Sequence, residues 1–596
     1  MYPMQFIKEN KKILAWLTLA TLLLALLPVL DTVVTIGSRW KGVPQLYADE
    51  VLYYAQVREV AEGHMLFGNP YFYEHREDPT PALFGSNWLA SIPFFLGFSL
   101  PAAIMANFLV WSLVYVFTVF YLLRKLGANK WSAFGALFVF IQSYLTVYRM
   151  SVRQEVFPFF FIFYIALFAW LERPGDKKRI VALAISAGTS FYLYSFFWQV
   201  VVVTLCFVLI YSIVQKFIVK HNIPRPSIPN ILAVCGLATV ISLPFMIYMW
   251  SLIKTPFYWE SMGRFGLINT HVPTAEVVYS GSWVIILLIL FFLGRKCLVD
   301  KPELSEKYSF VFVFFILTGL SMVSLQASNL ITGKELETAQ HIKSFIVPWL
   351  AIGFFTWIGY SFRWRHFSAI IPGIILVTIL LANIHFILFI NIFTNGDPLA
   401  LRRDMQNYAA PLAWLDKYES NPVVIWSPPE NLITPYIPAL TKHYVLYAEP
   451  GNLNILSDNE VEDRYLTSKY LNGVSTTTLR DEFPLYAGRS RVYHYPKTLE
   501  RKQKICRLLH IEDIFEFCPK EIDRFKLVGN EYFERLVDQY KKDIVPNITK
   551  KLMMYNVRYI LIDKKQSPDT RPNSLVGVNK VYDDGRFEIY HYEPKK

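Results

Sequence analysis

Charge is scarce in this chain. Asp, Glu, Lys and Arg make up 18% of its 596 residues, against 54% hydrophobic. A soluble globular protein carries about a quarter charged residues, so a wholly water-soluble fold is excluded. Cysteine is scarce too. Cys206, Cys235 and Cys297 lie in or beside apolar runs. Cys506 and Cys518 share the later, polar part of the chain, where they either pair in an oxidising compartment or stay as two thiols. The histidines His64, His75, His271 and His341 lack ligand-like spacing, so no structural metal site is read from them. The short basic loops contain no phosphate-cradling glycine motif, which argues against a nucleotide site there. Internal repeats and low-complexity tracts are absent. No small-residue cleavage site follows the first apolar run, so its basic start reads as an uncleaved anchor.

Long apolar runs fill the chain before about residue 394. Eleven are close to the roughly 20 residues that cross a bilayer: Ile13–Ile36, Pro101–Leu123, Trp131–Val147, Val156–Leu171, Ile180–Phe197, Trp198–Ile213, Ile231–Leu252, Val277–Leu293, Tyr308–Leu325, Phe345–Phe362 and Phe367–Phe393. The fifth and sixth nearly touch, which implies a tight hairpin at Tyr194–Trp198. A shorter piece, Trp88–Leu100, is too brief to cross and reads as interfacial. Basic clusters such as Lys8/Lys11/Lys12, Arg124/Lys125/Lys130 and Arg173/Lys177/Lys178/Arg179 fall in alternate loops. The positive-inside rule makes that side cytoplasmic. The N-terminus is then inside, with the first long loop and the C-terminal region outside. The net charge of +12 therefore reports topology and not nucleic-acid binding. An aromatic share of 16% suits a membrane protein with wet interfaces.

After Asn395 ordinary globular composition begins. Ala409–Tyr418 and Asn530–Ile544 read as helices. Val423–Trp426, stopped by Ser427-Pro428-Pro429, reads as a buried strand, and Arg558–Asp563 and Phe587–Tyr592 as further strands. Such alternation predicts a small α/β domain. The expected architecture is mainly α. A polytopic helix bundle occupies residues 1–394, with a long first outer loop at 37–100, and a soluble extracytoplasmic α/β domain occupies 395–596.

The candidate chemistry gathers in the outward loops. Asp49 precedes Glu50–Glu62, a helix-like stretch ending at Gly63. Asp49 suits an N-cap, and equally a base that takes a proton from an acceptor hydroxyl. Glu155 opens the fourth run, where the helix dipole favours an acid. Arg149 and Arg153 beside it are not favoured by that dipole. They suit a phosphate, or lipid headgroups. Lys334, His341 and Lys343 share one outward loop, and Arg264 lies in another. A sugar carried on a lipid phosphate needs cations for the developing charge and one carboxylate for the acceptor. These residues supply both.

The run Asp49-Glu50 with Tyr53, Ala55 and Gly63, after a first span, resembles the GT-C superfamily of membrane glycosyltransferases. The closest look is to the protein O-mannosyltransferase and lipid A aminoarabinose transferase branch. Tyr73-Glu74-His75 ahead of Pro79 and Pro81 matches that branch's first-loop layout. Glu155 is similar to the second acidic position of the oligosaccharyltransferases. Those carry two acids there for a metal, whereas this chain has Gln154-Glu155. No cofactor is therefore assigned, and a divalent metal is a doubtful requirement. The resemblance implies inverting transfer from a polyprenyl-phosphate sugar to an acceptor on the outer face. Asp49 would be the base, Glu50 a supporting or structural acid, and Glu155 a further acid of the catalytic set. Arg153, Lys334 and His341 would hold the donor phosphate, joined by Arg149, Arg264 and His75. Partners would be the lipid-linked donor, membrane lipids and an acceptor that is a glycan, lipid or protein. A transporter or flippase is the main rival, and a non-catalytic envelope glycan assembly protein the second. Transporters commonly carry ionisable residues near mid-membrane, whereas charges here cluster at the outer span ends, with Asn383 and His385 as polar exceptions. The sequon Asn547-Ile548-Thr549 fits an outer domain.

Overall fold

The computed structural model describes residues 3–44, 50–82, 84–128, 131–143, 153–217, 226–296, 302–361, 397–511, 518–522, 525 and 528–594. The expected span Phe367–Phe393 and the residues Asp49 and Arg149 lie outside the described residues. So does the side chain of Arg153.

Helices dominate. The expected first span is two helices, α1 (Pro3–Ala25) and α2 (Leu27–Thr35). Pro28 has no N–H to continue the ladder, so the run breaks at Leu26. Then follow α3 (Glu50–Ala61), α4 (Gly85–Phe95), α5 (Leu100–Leu126), α6 (Ser132–Ser143), α7 (Arg153–Glu172), α8 (Lys177–Leu193), α9 (Ser195–Phe217) and α10 (Ile228–Ile253). After α11 (Tyr258–Arg264), β1 (Leu267–Asn269) pairs antiparallel with the distant β2 (Lys334–Leu336) in a two-stranded sheet. Between those strands run α12 (Ala275–Lys296), α13 (Pro302–Gln326) and α14 (Asn329–Thr332), and α15 (Thr338–Ser361) follows β2.

Seven helices among the described residues are long and apolar enough to cross a membrane: α5, α7, α9, α10, α12, α13 and α15. The chain is an integral, multi-pass membrane protein. The sequence count of eleven is not confirmed among the described residues. Described α6 is shorter, as is α8 with its 17 residues, and the eleventh run falls outside the description. Local signals set the ends. Pro101 sits in the first turn of α5, and Gly127 closes it in a left-handed conformation after Arg124 and Lys125. Asp176 caps α8 by accepting from the Lys178 N–H, and Ser227 caps α10 through the Asn230 N–H.

The C-terminal part carries a five-stranded mixed sheet in the order β4-β3-β5-β7-β6. Its strands are β3 (Val424–Trp426), β4 (Tyr444–Val445), β5 (Val557–Asp563), β6 (Val578–Asp583) and β7 (Phe587–Tyr592). The strands β3, β4 and β5 run parallel, and β7 pairs antiparallel to both β5 and β6. Helix Ala409–Tyr418 and strands β3, β5 and β7 fall where the residue pattern puts them. Helix Asn530–Gln539 continues into a wide turn at Tyr540–Ile544. Cys506 and Cys518 form a disulfide.

The first long loop shares a hydrophobic core with this sheet. Val51, Tyr54, Tyr71 and Phe72 pack with Val445, Tyr447 and Ile560. The Val445 N–H donates to the Tyr71 carbonyl at 2.8 Å, so the loop covers the edge strand β4. Asn69 accepts from the N–H groups of Tyr71 and Phe72 and donates to the Gly451 carbonyl at 2.8 Å. A β-carbon on Gly451 would lie 2.6 Å from the Phe72 ring, so only glycine allows this approach.

Candidate active site

α3 is buried nearly all round, Glu50, Gln56 and Glu59 included. A helix buried on every side must have neighbours on every side. They are α4 and the C-terminal helix Tyr436–Leu440. Glu50, the first residue of α3, lies close enough to Tyr436 to help raise its hydroxyl pKa, after burial and Tyr408. Farther along α3, Glu59 meets His64 at 2.5 Å. Burial raises the Glu59 carboxyl above its ordinary value despite that partner.

α4 joins α3 to the bundle by touching α5, α7 and α8. Its first residue is Gly85, where a β-carbon would meet the Tyr192 carbonyl at 2.6 Å. The buried side of α4 carries Ser86, Asn87, Ala90 and Ser91, and Asn87 donates to Gln56 at 3.3 Å. The other side exposes Ile92, Phe95 and Leu96. The short apolar piece thus forms an amphipathic helix, with one side buried and the other exposed.

Gln154 and Glu155 open α7 and are fully buried. A carboxylate in the first turn gains from the helix dipole even without solvent. Below it, Phe157 and Phe160 of α7 meet Phe345 of α15, with ring centroids 5.5 and 4.6 Å apart. One turn above Phe345 stands His341. The aromatic layer therefore holds the start of α7 and the start of α15 at one level, at the mouth of the bundle facing the C-terminal part.

His341 is tightly fixed. Its Nδ1 lies 2.6 Å from the Tyr194 hydroxyl, and its ring stacks on Phe196 with centroids 4.3 Å apart. Its Nε2 lies 3.6 Å from Glu337, which also takes Lys497 of helix Gly488–Leu509 at 3.5 Å. The His341 contact holds the Glu337 carboxyl below its ordinary value, against burial and with help from Lys497. Tyr194, Phe196 and Glu337 were not singled out in the sequence. Tyr194 and Phe196 belong to the hairpin read between the fifth and sixth runs, which was the available signal. Glu337 has a left-handed backbone, φ 51°, that no motif announces.

The other candidates are dispersed. Lys334 is exposed on β2, its ammonium 4.9 Å from the centroid of the Trp259 ring. Arg264 is buried and donates to the carbonyls of Asn452, Asn454 and Leu456 and to the Asp458 carboxylate. It pins α11 to the C-terminal part. His75 lies between Asp78 at 2.6 Å and Glu460 at 2.8 Å, and ties the first loop to the same region. Among the described residues no group of three or more His, Cys, Asp or Glu is arranged to hold a metal ion.

No family model matches the chain, and no curated protein matches it. It is similar to two crystal structures of ArnT from Cupriavidus metallidurans. One is bound to undecaprenyl phosphate, with 12% identity and a TM-score of 0.41. The other is in the apo state, with 13% identity and a TM-score of 0.42. Each match covers 96% of this chain and 99% of the other. No residue role is carried over from a likeness at this level.

Proposed function

We propose that this chain is a GT-C-like membrane glycosyltransferase. It moves a sugar from a polyprenyl-phosphate donor to an acceptor on the outer face, with inversion. The supporting observation is the bundle mouth itself. Buried Glu155 and fixed His341 stand on neighbouring helices above one aromatic layer.

In this reading Asp49 takes the proton of the acceptor hydroxyl as it attacks the sugar carbon. The departing phosphate needs no general acid, only positive charge. His341 with Arg153 and Arg149 supplies that charge. Glu155 orients the cations around the donor. Glu50, buried and turned toward Tyr436, supports the loop structurally. The N-terminus is cytoplasmic, and the first loop and the C-terminal α/β domain lie outside, where that domain recognises the acceptor.

The test uses purified protein in lipid and a panel of polyprenyl-phosphate sugars. Release of free polyprenyl phosphate is measured for the wild type and for Asp49→Asn. Release from one donor that is lost in Asp49→Asn supports the reading. No release from any donor, with the protein folded and acceptors varied, moves the weight to a transporter or an assembly protein. Undiminished release by Asp49→Asn removes that residue from the mechanism.

A further inference from the structure

The segment between α10 and α12, together with α14 and β2, carries a surface that the catalytic reading does not use. Phe257, Trp259, Leu330 and Ile331 are all exposed there, Ile331 to 88%. Leu330 and Ile331 sit at the end of the apolar stretch that runs from α13 to Thr332, and Phe257 and Trp259 lie just past α10, which stops at Ile253. Apolar side chains so close together are not left in water without a partner. The backbone supports the display. Phe257 is held at φ 65°, a conformation uncommon for a bulky residue, at the start of α11. Lys334 bridges the two pieces through the Trp259 ring, and His271 meets the Leu330 carbonyl at 3.2 Å.

Charge on this segment is sorted by side. Glu335 is buried against Arg501, Glu337 faces Lys497 and His341, and Glu260 accepts from the Asp458 N–H. These carboxylates are turned into the protein. The lysines are not. Lys254 lies over the Trp250 ring at 4.6 Å and Lys334 over Trp259 at 4.9 Å, both exposed. Indole rings settle at the headgroup level of a bilayer, and lysines beside them reach the phosphates. Trp250, exposed in the last turn of α10, extends the apolar surface next to this segment.

We propose that this segment is a monotopic anchor. It inserts Phe257, Trp259, Leu330 and Ile331 into the leaflet on the side of the C-terminal part, and Lys254 and Lys334 bind the headgroups of anionic phospholipids there. The anchor rests only on the membrane-embedded reading of the chain, not on its being a glycosyltransferase. Because Arg501 and Lys497 tie Glu335 of β2 and Glu337 beside it to helix Gly488–Leu509, the anchor also fixes that helix's height above the bilayer.

The experiment puts a photo-reactive benzoylphenylalanine at position 331 of the full chain, and in a control at Val576, which is exposed on the C-terminal part. Both proteins are reconstituted into vesicles of phosphatidylcholine with phosphatidylglycerol, irradiated, and read by mass spectrometry. The expected result is lipid adducts at 331 and none at 576. Anionic lipid should be enriched among the adducts, roughly five-fold per lysine, and Lys254→Gln with Lys334→Gln should remove the enrichment. Quenching by brominated lipid, compared between the wild type and Trp259→Phe, checks the depth independently of position 331. An absence of lipid adducts and of Trp259 quenching in folded protein overturns the proposal, as does a crosslink to a second copy of the chain. Adducts without anionic enrichment overturn the headgroup part. None of these readouts requires sugar transfer, so failure of the anchor and failure of the enzymatic reading are distinguishable.

Discussion

The guanidinium of Arg464 donates to the carboxylate of Glu74 at 2.9 Å, across 390 residues of sequence. The same side chain donates to Glu460 at 2.9 Å and lies between the rings of Phe72 and Tyr555, at 4.4 and 4.3 Å. Only 1% of it is exposed. One buried cation thus fastens the first loop to the C-terminal sheet.

Replacing Arg464 by alanine leaves two carboxylates facing an empty slot. Breaking one side of a buried pair costs about 3–5 kcal/mol. The expected outcome is a loss of that size in the denaturant unfolding of the C-terminal part. Arg464→Lys should recover less than half, because an ammonium cannot fork to two acids while lying flat between rings. An unchanged midpoint in Arg464→Ala would count against the contact.

The His75–Glu460 contact makes this fastening pH-dependent. Burial disfavours the His75 cation, but Glu460 and Asp78 outweigh it and raise its pKa above the usual 6.5. Burial likewise opposes the Glu460 anion, but His75 and Arg464 pull it down to about 2. The His75 contribution is full below its unfolded pKa and is lost as pH rises through the higher folded value. The Glu460 contribution is present above the usual 4.5 and is lost as pH falls toward about 2. The contact is therefore strongest near pH 5–6, between the two ordinary values. Protection of residues 69–78 against hydrogen exchange, taken relative to the intrinsic rate at each pH, should be greatest there and should fall toward pH 8. In His75→Gln the alkaline part of that dependence should vanish.

At the bundle mouth, His341→Phe keeps a ring on Phe196 but removes the contacts with Tyr194 and Glu337. On the proposed mechanism, loss of a charge-assisted contact lowers turnover by about tenfold or more. Folding stability should change by less than about 1 kcal/mol, since the ring volume remains. Glu155→Gln should lower donor turnover more steeply, by roughly 10²-fold, because the cations around the donor lose their alignment. Kinetics of polyprenyl phosphate release at saturating donor check both, and equal turnover in either variant refutes its role.

The Cys506–Cys518 bond closes a loop across a sequence separation of 12. A loop of this size stabilises by about 3 kcal/mol through the unfolded chain. Cys506→Ser with Cys518→Ser should lose roughly that amount, measured as a lower unfolding midpoint. Reductant should shift the wild type by the same amount and leave the double variant unmoved.

Much of the helix and strand content was legible because it is local. Gly63 ends the stretch that begins at Glu50. Asp176 and Ser227 cap their helices, and the apolar alternation of Phe587–Tyr592 marks β7. Two strands of the C-terminal sheet were missed for different reasons. β4 is two residues long, and β6 has a mostly exposed pattern that periodicity cannot tell from a loop. Of the candidate site, His341 and Glu155 could be named from residue type and position. The partners of His341 could not. Tyr194 lies 147 residues away in sequence, and nothing in the chain states that pairing.

Composition and order by themselves determined that this chain lives in a bilayer, because apolar runs of spanning length have no other stable surroundings. They also determined that a polar α/β part follows the bundle. Only the tertiary structure decided which candidate cations are available. Arg264 and His75 look like free charges in outward loops, yet both are consumed as pins between the loops and the C-terminal part. The reason is desolvation. A charge buried at such a contact must find its counter-charges in the fold, and those partners come from distant sequence that only folding brings near.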